Sequence, residues 1–314
     1  MDIGYIILII IGALIVLTIT ISYVCFRMAF YASSKAKRKT FGDMPPGDVY
    51  DPYKEQMLLW RKEIESFEAE KVEITSFDGL KLRGKYYEHV KGAPVEIMFH
   101  GYRGYSERDL CGGLNRCIKL KKNVLAVDHR AHGDSEGHVI SFGIKERYDV
   151  KAWTEYAYNR FGDNVKIIIT GISMGASSVL MASSLELSKS VVGVIADCGY
   201  TSPKEIICSV IKNMGLPPKL CYPFVKLGAK LFGRFNLDQT SCVEELKKTK
   251  LPIMLIHGDK DELVPYYMSE QNKNACASWC ELVKIEGAGH GTSLLVNQEK
   301  YINALKEFEK VYDK

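Results

Sequence analysis

The sequence predicts an α/β domain, a mostly parallel sheet with helices on both faces, carried behind one N-terminal membrane-spanning helix. Three observations predict it. Residues 3–26 run without a charge. Six short apolar or β-branched runs then recur at spacings that leave room for helices between them, the pattern of a parallel sheet buried on both faces. One of these runs is followed at once by Gly171-Ile172-Ser173-Met174-Gly175 and a segment of small residues, which reads as strand, tight turn and helix. With 314 residues, 46% of them hydrophobic, and 42 Lys+Arg against 38 Asp+Glu, the chain is neither disordered, collagenous nor a small disulfide scaffold.

The charge is unevenly placed. Five basic residues and one acid fall within residues 1–40, and the remainder balances at 37 against 37, so the totals give no support to a nucleic-acid surface. A helix over residues 3–26 spans about 36 Å, enough for a hydrocarbon core of roughly 30 Å. A cleavable signal peptide has basic residues ahead of a shorter apolar core; here Asp2 leads and the run is too long. Arg27, Lys35, Lys37, Arg38 and Lys39 follow the span, and positive flanks stay cytoplasmic. The expectation is a single-pass membrane protein with its body in the cytoplasm, and an uncleaved signal anchor holding that body outside is the competing reading. Nine cysteines, without a CxxC and odd in number, read as reduced thiols.

The organisation expected is residues 1–30 as transmembrane anchor, 31–70 as juxtamembrane linker and 71–314 as the α/β domain. Pro45 and Pro46 stop any helix leaving the membrane. Asp51-Pro52 resembles a helix start with proline at the first position, followed by Met57, Leu58, Trp60, Ile64 and Phe67 at helical spacing, which reads as a short helix lying against the domain, with a solvated linker as the alternative. Runs at 72–76 and 80–87 flank Asp78-Gly79, a hairpin signal. The six further strands are expected at 95–99, 124–127, 165–170, 191–196, 253–256 and 282–285. About fifty residues, 201–250, separate two of these, more than a crossover needs. They carry apolar stripes at Ile206, Ile207, Val210, Ile211 and Met214 and at Phe224, Val225, Leu227, Leu231 and Phe232. Such stripes are usually core, but connections at the carboxyl ends of parallel strands overlie the ligand crevice, so a lid is the sharper reading.

Gly171 and Gly175 let the turn between strand and helix close tightly, which holds Ser173 in strained geometry and pushes its hydroxyl outward. Gly133-Asp134-Ser135-Glu136-Gly137 matches the same short pattern but opens no helix, so Ser135 reads as a structural loop residue. A serine needs a histidine to take its proton and a carboxylate to orient that histidine. Downstream, His257-Gly258-Asp259-Lys260-Asp261-Glu262 follows one strand and Gly287-Ala288-Gly289-His290-Gly291 follows the last. His290 is the candidate base, and Asp259, Asp261 and Glu262 are candidates for the acid, with turn chemistry accounting for Asp259. There is no H-E-x-x-H, no paired-cysteine ligand spacing and no dinucleotide fingerprint, so no metal or cofactor is implied.

From about residue 72 to the C-terminus the chain resembles the α/β-hydrolase superfamily, on the 171–175 turn, the 257–265 run, His290 and Asp128-His-Arg-Ala-His-Gly-Asp-Ser-Glu-Gly137. The resemblance implies the α/β-hydrolase fold, makes the 201–250 insertion a small helical cap, and selects Asp261 to act with Ser173 and His290. It makes His100-Gly101-Tyr102-Arg103-Gly104 the oxyanion loop, so the expected donors are the backbone N–H groups of Tyr102 and Met174, while His100 stays structural; the loop departs from the HGGG version. The implied activity is that of a serine hydrolase, lysophospholipase- or carboxylesterase-like, cleaving a small-molecule or lipid-like ester through an acyl-enzyme. An amide, peptide or thioester hydrolase of the same fold, and a noncatalytic scaffold keeping the architecture, are the alternatives.

Overall fold

The computed structural model describes residues 2–33, 44–45 and 47–312. The basic cluster Lys35, Lys37, Arg38 and Lys39, and Pro46, lie outside the described residues. In chain order come α1 (Ile3–Ala29), a 3-10 turn (Asp48–Tyr53), α2 (Lys54–Glu65), β1 (Glu70–Thr75), β2 (Lys81–Tyr87), β3 (Val95–Phe99), α3 (Ser106–Asp109), α4 (Cys111–Lys119) and β4 (Asn123–Val127). There follow α5 (Glu146–Phe161), β5 (Ile167–Ile172), α6 (Met174–Ala182), β6 (Val191–Asp197), α7 (Pro203–Asn213), α8 (Pro218–Leu231) and α9 (Cys242–Leu246). The chain ends through β7 (Ile253–Gly258), α10 (Tyr267–Ala275), β8 (Cys280–Ile285), α11 (Ser293–Val296) and α12 (Gln298–Tyr312).

The eight strands form one sheet in the order β1-β2-β4-β3-β5-β6-β7-β8. The β1/β2 and β2/β4 pairings are antiparallel and the rest are parallel. Every strand expected from the sequence is present, with its ends displaced by no more than two residues. Period-2 alternation divides the core between two layers. Ile97, Phe99, Ile167 and Ile169 face Trp153, Ala157, Val179 and Leu180 of α5 and α6. The residues between them point the other way: Met98 packs with Leu114 of α4, and Ile168 with Leu305 and Phe308 of α12.

One expectation for the N-terminal region needs correction. Pro52 lies inside the 3-10 turn rather than opening a helix, and α2 begins at Lys54. Met57, Trp60 and Ile64 are the buried face of α2 and join Leu110, Leu114 and Cys117 in one cluster. Burying that face fixes where α2 starts, and the tighter turn before it redirects the chain.

The 201–250 insertion contains α7, α8 and α9. Ser202 and Ser241 cap α7 and α9 by accepting the N–H groups of Glu205 and Glu244, both at 3.1 Å. Ile206, Ile207 and Ile211 of α7 and Tyr222, Val225 and Ala229 of α8 form a second core with Phe26 and Phe30 at the end of α1, whereas Val210, Met214 and Leu231 of the expected stripes stay exposed. Trp153 is the largest wholly buried side chain of the main core. Trp153→Ala is expected to cost about 3–5 kcal/mol, read as a lowered denaturation midpoint in urea.

Candidate active site

Four loops meet at the carboxyl-terminal rim of the sheet: those after β3, β5, β7 and β8. Ser173 stands between β5 and α6 with φ 55° and ψ −115°, a conformation side chains rarely adopt. Its neighbours explain how the turn fits. A Cβ on Gly171 would lie 2.2 Å from the carbonyl carbon of Gly175, and one on Gly175 would lie 2.1 Å from the carbonyl oxygen of Phe99. Both contacts are to backbone, so neither can relax without moving a strand. The Ser173 N–H donates to the Asp197 carbonyl at 2.8 Å, continuing the sheet to the turn itself.

The Ser173 hydroxyl is 2.8 Å from His290 Nε2, and His290 Nδ1 is 2.7 Å from Asp261 Oδ2. The carboxylate is held from several sides. Asp261 Oδ1 accepts the N–H groups of Leu263 and Val264 at 2.9 and 2.8 Å. His257 Nε2 lies 3.1 Å from Oδ2, while its Nδ1 contacts the Ser269 hydroxyl at 2.6 Å. Burial alone would raise the Asp261 pKa, but His290 and the hydrogen bonds of His257 and His290 outweigh it and hold the carboxyl well below its usual range.

His290 is raised well above the ordinary imidazole value: burial opposes its charge, and Cys198 and Asp261 override burial. Cys198 is itself pushed up by burial, so it is a neutral thiol at neutral pH and Asp261 supplies the working charge. The donor atoms of Cys198, Asp261 and His290 lie within 4.8 Å of one another. Both ring nitrogens of His290 are already engaged, by Ser173 and Asp261, so the cluster reads as a hydrogen-bonded chain with a thiol beside it.

Of the rival acids, Asp259 accepts the Gly287 N–H at 2.7 Å and ties two loops together, and Glu262 lines the cleft mouth. Ser135 is buried, accepting the Arg83 N–H at 2.8 Å and donating to the Asp128 carbonyl at 2.7 Å. His100 contacts the Gly101 carbonyl through Nδ1 and accepts the His129 N–H at Nε2, which shapes the loop after β3. Gly101 and Tyr102 of that loop line the cleft with Ser173 and His290. Met174 is the first residue of α6, whose opening N–H groups have no intrahelical partner.

Sequence reasoning did not single out Cys198, His257 as an Asp261 partner, or the segment ahead of α2. That segment covers one side of the cleft, whose volume is about 700 Å³. Val49 packs so closely on Gly289 that a Cβ there would meet its methyl at 2.4 Å, and the Tyr50 hydroxyl occupies the corresponding space at Gly291. No periodicity marks such a contact; only the composition Val49-Tyr50 amid polar residues hinted at it.

No protein-family model matches the chain. Over 308 residues, 96% of both chains, it is 25% identical to the protein YqkD of Bacillus subtilis. Among solved structures, the Pyrococcus furiosus esterase Pf2001 aligns with a TM-score of 0.63 and 27% identity over 80% of this chain and 93% of that one. The α/β hydrolase GrgF from Penicillium shares the fold at a TM-score of 0.62 and 17% identity, over 78% of this chain and 99% of its own. The chain has the fold of the α/β-hydrolase superfamily.

The His290 assignment is open to direct test. In a proton NMR titration the imidazole is expected to titrate above the ordinary value of about 6.5, and Asp261→Asn to bring it down. An unchanged titration in the variant would dissociate the carboxylate from the ring.

Proposed function

We propose that this protein is a membrane-anchored serine hydrolase that cleaves carboxylic esters through an acyl-enzyme. The observation that carries the reading is the Ser173–His290–Asp261 hydrogen-bonded chain, with links of 2.8 and 2.7 Å, exposed to a cleft at the carboxyl rim of the sheet. The likeness to Pf2001, an esterase, supports the ester as the bond attacked.

In this mechanism Ser173 Oγ attacks the ester carbonyl while His290 Nε2 takes its proton, and Asp261 steadies the imidazolium that forms. The N–H groups of Tyr102 and Met174 hold the oxyanion, aided by the positive end of α6. Collapse of the tetrahedral species breaks the bond to the alkoxy oxygen, which leaves as an alcohol with the proton from His290. Water then attacks the acyl-serine, giving its proton to His290, and the second collapse returns that proton to Ser173 and releases the acid. No step calls for a metal or cofactor.

Residues 1–30 serve as the anchor, 31–70 as the connection and 71–314 as the catalytic body, with the 201–250 insertion as its cap. The apolar side chains of α1 ahead of Ser22 are largely exposed, which supports membrane insertion of this helix. Arg27 and the four basic residues that follow it support a cytoplasmic body. Val49, Met57, Ile172 and Leu263 give the cleft apolar walls, which supports an acyl or lipid-like substrate.

Ser173→Ala is expected to reduce p-nitrophenyl ester hydrolysis by a factor on the order of 10⁴ or more and to abolish fluorophosphonate labelling. Undiminished turnover in that variant would remove Ser173 from the chemistry. Because His290 must be neutral to accept the proton, kcat/KM should fall as pH drops through its raised pKa, and in Asp261→Asn whatever activity survives should reach its plateau at lower pH. Across straight-chain p-nitrophenyl esters, kcat/KM should rise beyond acetyl; a maximum at acetyl would argue against a lipid-like substrate.

A further inference from the structure

The end of α1 is seated on the cap, and the geometry of that contact fixes a level along the helix. The backbone approach is closest where Gly228 of α8 meets Ser22: a Cβ on Gly228 would lie 2.3 Å from the Ser22 carbonyl oxygen. The Phe232 ring, just past α8, is 5.1 Å from Tyr23 and 5.8 Å from Phe26, and toward the other end of α8 Cys221 neighbours Cys25. From residue 221 to 232 the chain advances about 16 Å, yet these close contacts on α1 all fall between positions 22 and 26. Helix α8 therefore crosses α1 steeply instead of running beside it.

Residues 3–21, ahead of that crossing, make a helix of about 28 Å, which matches a hydrocarbon core of roughly 30 Å. If α1 spans, α8 lies at the height where hydrocarbon gives way to headgroups and roughly in the plane of the membrane. Its composition fits that position. Leu220 is 66% exposed and Leu231 49%, and with Pro223 and Leu227 they fall at i, i+3, i+7 and i+11, one apolar stripe. Leu227 faces back along α1 toward its free end, sharing an open apolar groove with Ile11, Leu14, Ile15, Thr18 and Ile19. Residues 203–234 carry six basic residues and a single acid, a balance of +5 in a body that is otherwise near neutral or acidic. Lys219 and Lys230 stand exposed near the two ends of α8, where basic side chains flanking an apolar face suit an anionic lipid surface.

We propose that the stripe Leu220, Pro223, Leu227 and Leu231 is a membrane-interface surface, seated in the headgroup and acyl boundary of an anionic leaflet, so that the cap rests on the bilayer that α1 crosses. The inference rests on α1 spanning the membrane, and it does not depend on the chemistry proposed for Ser173. It also places the cleft near the leaflet. Ser209 and Asn213 of α7 hydrogen-bond to the carbonyls of Leu263 and Glu262 at 3.4 and 3.2 Å, and both of those residues line the cleft.

The test uses the full chain reconstituted in vesicles of phosphatidylcholine and phosphatidylglycerol at about 3:1, a composition with the anionic surface the cap calls for. Leu220→Trp and Leu231→Trp each add one indole to the native Trp60, Trp153 and Trp279, whose own quenching is measured on the unsubstituted protein. When lipid brominated near the headgroup is included, each added indole is expected to lose about half of its emission. No quenching beyond the native background would overturn the proposal. A detergent-stable dimer in which the added indoles are shielded from bromine would assign the stripe to a second copy and overturn it equally. As a second measure, Leu220→Glu with Leu231→Glu should lower hydrolysis of a vesicle-embedded long-chain ester several-fold and leave p-nitrophenyl acetate turnover unchanged; equal rates on the embedded ester would count against the surface. If the unsubstituted chain hydrolyses neither ester but its variants are quenched, the catalytic reading fails and the interface stands.

Discussion

The structure depends on one steric constraint: the sheet must turn into α6 within a single residue. Gly171 and Gly175 permit this because no Cβ intervenes between their backbones and the carbonyl groups they meet, at 2.2 Å and 2.1 Å from where such an atom would stand. The strain is concentrated on Ser173, the one residue between them with positive φ. Folding supplies the compensation, since the central strands β3, β5, β6 and β7 and the helix α6 are almost wholly buried. A turn of this kind is affordable only in a rigid core, and a rigid core is what lets three loops far apart in sequence deliver side chains to one point.

Buried charge organises the loops around that point. Arg130 reaches both Asp149 on α5, at 2.6 Å, and Asp78 in the β1/β2 hairpin, at 2.8 Å. This clamps the 128–137 loop to elements on either side of it. From the same loop His132 Nε2 accepts the Arg103 N–H at 3.0 Å, and Asp128 accepts the Ser106 N–H at 2.9 Å. The segment after β3 thus takes its shape from a loop that contributes nothing to the cleft chemistry. On the other face of the sheet, Glu96 is fully buried and hydrogen-bonded to Arg116 and Thr170. Burial pushes its carboxyl up, and Arg116 more than reverses this, lowering it to about 2. Such groups are satisfied in place; their loss would leave an unpaired charge in the core.

Much of this was legible in the sequence because it is written in local patterns. Strand runs of β-branched residues, the glycines around Ser173 and the glycine-flanked His290 carry their own signal. The choice of Asp261 over Asp259 and Glu262 was not local. It is decided by which carboxylate the loop folds inward, and the N–H groups of Leu263 and Val264 together with His257 do that only once β7 and α10 are packed. The same limit hid Cys198, which meets His290 across two strands, and the path of residues 47–50 over Gly289 and Gly291. Within residues 31–70 the spacing of Met57, Trp60 and Ile64 carries the signal of a short helix lying against the domain, and α2 is buried against α4. The bridge from Tyr31 to Val139 has no such local signal, because it joins residues far apart in sequence.

The contacts of α1 tie the end of this helix to the body of the protein. The Tyr102 hydroxyl donates to the Ala29 carbonyl at 2.8 Å, and Arg103 donates to the Met28 carbonyl at 2.5 Å. Both carbonyls belong to the last turn of the helix, where no intrahelical N–H remains to satisfy them. Just beyond, the N–H of Ala32 donates to His138 and the carbonyl of Phe30 accepts from Ile140, at 2.9 and 2.8 Å. The loop expected to hold the oxyanion is therefore itself part of the cap on the end of α1. Under the proposed anchoring, a tilt of α1 would act on Tyr102 through a hydrogen bond. A fragment cut after residue 33 would lose the Met28 and Ala29 partners of that loop, so α1 and the candidate oxyanion loop form one mechanical unit.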